Sequence, residues 1–79
     1  MARYTYTNEQ GSKRTISKVE EAKKVIIATA TIREHSRQEI LEDTQIMELA
    51  KVFGLNLEED LIVMKSDNPN DFFYSYYFE

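Results

Sequence analysis

His35 and Glu39 stand four residues apart, a spacing that puts two metal-ligating side chains on one helix face. Ser36 lies between them and opens a helix, so His35 falls outside the first turn. It is also the single histidine, with no second strong ligand near it in sequence. A corner residue beside a helix terminus accounts for it, and no metal is expected there. Asp67-Asn68-Pro69-Asn70-Asp71 invites a calcium reading. A helix–loop–helix calcium site needs oxygen ligands at its first, third and fifth positions and glycine at the sixth. Counted from Asp67, the third position is Pro69 and the sixth is Phe72, so the pattern fails. A polar hairpin turn is expected instead.

Carboxylates pair at Glu42-Asp43 and cluster at Glu58-Glu59-Asp60. Acid–base catalysis needs one member of such a pair in an apolar pocket that raises its pKa. These stretches are dense in acid and read as solvated. There is no glycine-rich phosphate loop, no nucleotide fingerprint and no Ser/His/Asp set. The absence of cysteine removes thiolate catalysis, disulfides and cysteine-held zinc. The expectation is a chain that is not an enzyme and takes no cofactor or metal.

The elements that would carry these residues fit one domain of 79 residues, 42% hydrophobic and 30% charged. No apolar run approaches the roughly 18 residues of a membrane span. The first residues lack the apolar stretch of a secretory signal. Together with the missing cysteines this leads us to expect a cytoplasmic protein. A core this small is marginal, and a bound partner adds stability by mass action.

Charge divides sharply along the chain. Residues 1–37 hold eight Lys or Arg against four Asp or Glu, a balance of +4, and residues 38–79 hold two against ten, a balance of −8. The acidic half repels phosphate backbones and attracts basic surfaces.

Arg3-Tyr4-Thr5-Tyr6-Thr7 alternates as a short strand, and Asn8–Ser12 is turn chemistry. Lys13–Ile16 reads as a possible return strand. Ser17-Lys18-Val19-Glu20 has the form of a capping box, and the helix behind it is expected to reach Glu34. Its apolar side holds Val19, Ala22, Val25, Ile26, Thr29, Ala30 and Ile32, with Ile27 on the polar side. Ser36-Arg37-Gln38-Glu39 is a second box, opening a helix expected to run to Phe53 and close on Gly54. Leu41, Ile46, Leu49, Val52 and Phe53 form its main stripe, while Ile40 and Met47 lie on a separate edge. Residues 57–65 suit either a short helix or a buried strand, and the turn and aromatic run after them favour a hairpin. The order β(β)ααββ predicts an α+β domain of two layers. In it the N-terminal strand and the C-terminal hairpin form one small antiparallel sheet on two helices.

Phe72-Phe73-Tyr74-Ser75-Tyr76-Tyr77-Phe78 is the best functional lead. Alternation puts Phe72, Tyr74, Tyr76 and Phe78 on one face and Phe73, Ser75 and Tyr77 on the other. A two-layer domain buries only one of these faces, and an edge strand is open to strand addition or homodimer formation. The expected function is a protein-binding module that inhibits or regulates a larger, basic protein, one that handles nucleic acid among the options. Glu42, Asp43, Glu58, Glu59, Asp60, Asp67 and Asp71 steer it, and Phe73 and Tyr77 anchor it. One alternative is nucleic-acid binding by Arg3, Lys13, Arg14, Lys18, Lys23 and Lys24, with Tyr4 and Tyr6 stacking on bases. A helix-turn-helix would place residues 37–53 in the groove, where Glu39, Glu42, Asp43 and Glu48 carry the wrong sign. A self-associating structural component is the other alternative. In size, acidity and lack of cysteine the chain resembles phage-encoded inhibitors of host proteins, anti-CRISPR proteins among them. The likeness is of general character and attaches to no residue.

Overall fold

The computed structural model describes residues 2–79. The chain folds as β1 (Tyr4–Thr7), β2 (Lys13–Ile16), α1 (Val19–Arg33), α2 (Arg37–Glu42), α3 (Thr44–Val52), α4 (Leu57–Asp60), β3 (Leu61–Lys65) and β4 (Tyr74–Phe78). This is the expected α+β class and order. The pairing differs from the single sheet expected: β1 pairs with β2 and β3 with β4, as two separate antiparallel hairpins. Short loops explain it. Closing Asn8–Ser12 costs about 2 kcal/mol less chain entropy than bringing residue 5 to residue 76. The Asn8 side chain also organises the turn, accepting from the backbone N–H of Gln10 and of Ser12, both at 3.0 Å.

Helix α1 lies between the hairpins. Tyr4 and Tyr6 of β1 pack toward Val25, Ile26 and Thr29 on one flank of α1, and toward Ile46 and Leu49 of α3. On another flank the Tyr76 hydroxyl of β4 reaches the Ala30 carbonyl, and Lys23 lies over the Phe78 ring, 5.7 Å from its centre. Serving two hairpins widens the buried side. Ile27, expected to be exposed, shares the Lys23 side of the helix and is half-buried. Ile32, expected to be buried, is exposed. The core consists of Ile16, Ala22, Ile26, Ala30, Ile40, Ile46, Leu49, Ala50, Leu57 and Leu61.

Only one of the two serine boxes forms. Ser36 accepts from the Glu39 N–H, and Glu39 accepts from the Ser36 N–H. The Ser36 amide is the main reason the Glu39 carboxyl lies below its ordinary range. Helix α1 instead starts one residue later than Ser17 would cap, with an extended Lys18 at the N-cap and no side-chain bond there. Ile16, buried at the end of β2, fixes the chain just before this point.

The second predicted helix is two helices. Asp43 takes an extended conformation, ends α2, and caps α3 through its side chain on the Ile46 N–H. The break shifts the helical phase, which is how Ile40 reaches the core while Met47 stays partly exposed. Gly54, at φ 68°, closes α3 as a Schellman turn: Gly54 N–H donates to Lys51 O and Leu55 N–H to Ala50 O. Residues 57–65 supply both readings, since α4 runs directly into β3.

Candidate functional site

The register of the second hairpin sorts its side chains into two faces. Leu61 pairs with Phe78, Val63 with Tyr76 and Lys65 with Tyr74. This row turns inward onto α1, with Leu61 buried and Val63, Tyr76 and Phe78 packed on the core. Ile62 pairs with Tyr77 and Met64 with Ser75, and this row faces out. Tyr77 is 46% exposed, Met64 54% and Phe73 50%, so three large apolar groups on this side meet solvent.

The two anchors expected from the sequence therefore lie on the outward side. β4 begins at Tyr74, so Phe73 stands just ahead of the regular strand. It keeps the ladder phase, because its carbonyl accepts from the Ser66 N–H at 2.9 Å. Phe72 continues the phase of the other row but lies ahead of the strand and is 58% exposed. It meets Tyr74 edge-on at 5.2 Å, with the Lys65 ammonium 4.9 Å from its ring centre. Ile62 and Met64 complete the outward patch and were not singled out from the sequence. Their signal was the alternation of residues 61–64, which the competing helix reading masked.

The seven acids expected to steer a partner lie in four places. Glu58, Glu59 and Asp60 form α4, which leads into the Leu61 end of the hairpin. Glu79 N–H donates to the Asp60 carbonyl at 2.9 Å, which brings a further acid to that end. Asp67 and Asp71 are exposed in the turn at the opposite end. That turn is ordered by Ser66, whose hydroxyl donates to the Asp71 carbonyl at 2.7 Å and accepts from the Phe73 N–H at 3.3 Å. The outward patch is thus bounded by acids at both ends. Glu42, on α2, is exposed and lies outside this frame.

Asp43 stands apart from the other six. Its side chain is only 9% exposed and binds the Arg33 guanidinium and, at 2.9 Å, His35 Nε2. Burial pushes its carboxyl up, but the bonds from Arg33, His35 and the Ile46 amide outweigh burial and hold it below the ordinary carboxylate range. Asp43 is a corner brace, with no carboxylate left to offer a partner. The His35 ring serves the same corner, and its buried Nδ1 has no hydrogen-bond partner among the described residues. No group of three or more metal-ligating side chains occurs among the described residues.

Tyr4 and Tyr6, considered above as stacking platforms, are half-buried against α1 and α3. Burial, then the nearby Glu48 carboxylate, raises the Tyr4 phenol above its ordinary value. Arg3, Lys13, Arg14, Lys18 and Lys24 remain exposed, while Lys23 is drawn onto Phe78. No helix among the described residues is long and apolar enough to cross a membrane. Comparison of the chain with protein-family models, with curated proteins and with solved structures finds no match.

Proposed function

We propose that this chain is a non-catalytic protein-binding module that inhibits or regulates a larger protein bearing a basic surface. The observation that carries the reading is the outward side of the second hairpin. Phe73, Met64 and Tyr77 are about half exposed there, while Leu61, Val63, Tyr76 and Phe78 of the alternate row belong to the core or pack on it. Aromatic and methionine side chains are the types enriched at interface centres. The acids at both ends of the patch suit a partner of opposite sign and speed its approach.

The test is affinity capture from the native host by the intact chain, beside a Phe73→Ala, Tyr77→Ala double variant, followed by binding kinetics with the purified partner. The reading expects a partner that the double variant fails to hold, with an association rate that falls as salt rises. Equal capture by both forms removes the anchors. Retention of duplex or single-stranded nucleic acid at low salt, lost on Lys13→Ala with Arg14→Ala, would favour the N-terminal basic segment instead.

A further inference from the structure

We infer that the free edge of β4 receives an extended segment of the partner, which adds a third strand to the hairpin. That segment carries basic residues on both sides of an uncharged stretch. The inference deepens the reading above and rests on it.

The argument starts from the ladder. Ser66 N–H bonds Phe73 O, and Glu79 N–H bonds Asp60 O. Antiparallel bonding alternates, so Phe73, Ser75, Tyr77 and Glu79 direct their backbone groups at β3. Tyr74, Tyr76 and Phe78 direct theirs away from it. Among the described residues no strand pairs with that side of β4.

The two edges of the hairpin are not alike. On β3, Arg37 Nη2 donates to the Leu61 carbonyl at 2.8 Å, which occupies one end, and Lys65 places a charge at the other. Charged side chains and covering groups are the usual devices that blunt a strand edge. β4 has neither. Its five residues, Tyr-Ser-Tyr-Tyr-Phe, include no charge and no proline. Three outward N–H groups and three outward carbonyls thus stand in a row with nothing on the strand to discourage pairing.

Charge chooses the occupant. Asp67 and Asp71 lie in the turn at one end of the hairpin, with Lys65 beside them, and Asp60 and Glu79 at the other, with Lys23 on the Phe78 ring, so each end holds more acid than base. A second copy pairing through β4, parallel or antiparallel, sets acid against acid at both ends. A strand with lysine or arginine at both ends meets opposite charge there, while its uncharged middle pairs with Tyr74–Phe78.

The intact chain is titrated with the peptide Lys-Lys-Thr-Val-Thr-Val-Thr-Lys-Lys, with amide exchange followed residue by residue. Two controls accompany it, one with glutamate in place of every lysine and one with alternate backbone nitrogens methylated. The expected result is saturable binding of the lysine peptide alone, with exchange at Tyr74, Tyr76 and Phe78 slowed about tenfold or more. Absence of binding at millimolar peptide overturns the inference. So does equal binding of either control, or binding that leaves those three amides unprotected. Concentration-dependent dimers that protect the same amides without peptide overturn it in favour of a second copy. The Phe73 and Tyr77 substitutions leave the edge amides in place, so failure of the outward face and failure of the edge are read separately.

Discussion

The Tyr76 hydroxyl lies 2.6 Å from the His35 carbonyl oxygen and 3.1 Å from that of Ala30, so one phenol ties β4 to the C-terminal turn of α1. Burial, followed by neighbouring Tyr74, Glu39 and Glu34, raises this phenol above its ordinary value, so it stays a donor at neutral pH. Tyr76→Phe keeps the ring and deletes the donor. The expected loss is about 1 kcal/mol, which lowers the thermal midpoint by roughly 4–8 °C in a domain of this size. Tyr74→Phe is the control, because its hydroxyl makes no hydrogen bond among the described residues. Equal midpoints for the two variants would remove the tie.

Helix α1 closes in the manner of α3, with Glu34 N–H on Thr31 O and His35 N–H on Ala30 O. The residue in the left-handed region is here a glutamate, at φ 53°. A side chain in that region costs roughly 1–2 kcal/mol, whereas glycine carries no such cost but loosens the unfolded chain by about 0.4–1 kcal/mol. Glu34→Gly is therefore expected to stabilise the fold by about 0.5–1 kcal/mol. Urea denaturation measures it, and an unchanged or lower midpoint contradicts the strain.

Asp43 sets an acid limit. Its folded pKa lies below the unfolded value, so its contribution is complete above about pH 4. That contribution is lost as pH falls through the folded value, where protonation releases Arg33 and His35. Asp43→Asn keeps a capping side chain but has no proton to gain. The variant is expected to be less stable at neutral pH and to show a shallower decline in acid. Parallel decline of both proteins below pH 4 would assign the acid sensitivity elsewhere. Asp43→Ala also removes the cap, at a further cost of about 1 kcal/mol.

The outward patch and the core respond differently to truncation. Phe73→Ala with Tyr77→Ala is expected to cost less than about 1 kcal/mol of stability, chiefly the cross-strand contact of Tyr77 with Ile62. Ile26→Ala or Ile40→Ala, at fully buried positions, is expected to cost about 2–5 kcal/mol. Toward a captured partner the order reverses, with the aromatic pair costing about 2 kcal/mol or more. A large stability loss from the aromatic pair would make those rings structural.

The features legible in the sequence were those with a local cause. The Ser36–Glu39 box, the Gly54 close, the Asn8–Ser12 turn and the two faces of the aromatic strand each depend on neighbours within a few residues. What was missed depends on distant packing. Ser17 and Glu20 repeat the spacing of Ser36 and Glu39, yet the chain arriving from a buried Ile16 starts its helix one residue late. The break at Asp43 did leave a trace. Ile40 and Met47 on a separate edge of the wheel were the phase jump of two helices drawn as one. The widened face of α1 left none, because which residue among Ile27 and Ile32 is covered depends on where two hairpins settle. Alternation alone put Phe73 and Tyr77 on the side of the strand that meets solvent. The other role of Asp43 required knowledge of where Arg33 and His35 end up.

The separation of the two hairpins has a kinetic consequence. Each ladder zips over a short connection, residues 8–12 in one and 66–73 in the other, and neither needs the other's strands. Such local pairing lowers contact order and favours rapid folding. The two ribbons can nucleate in either sequence, and the slow event expected is their seating on two flanks of α1. Substitutions at that seat, such as Tyr76→Phe, then act mainly on the rate of unfolding.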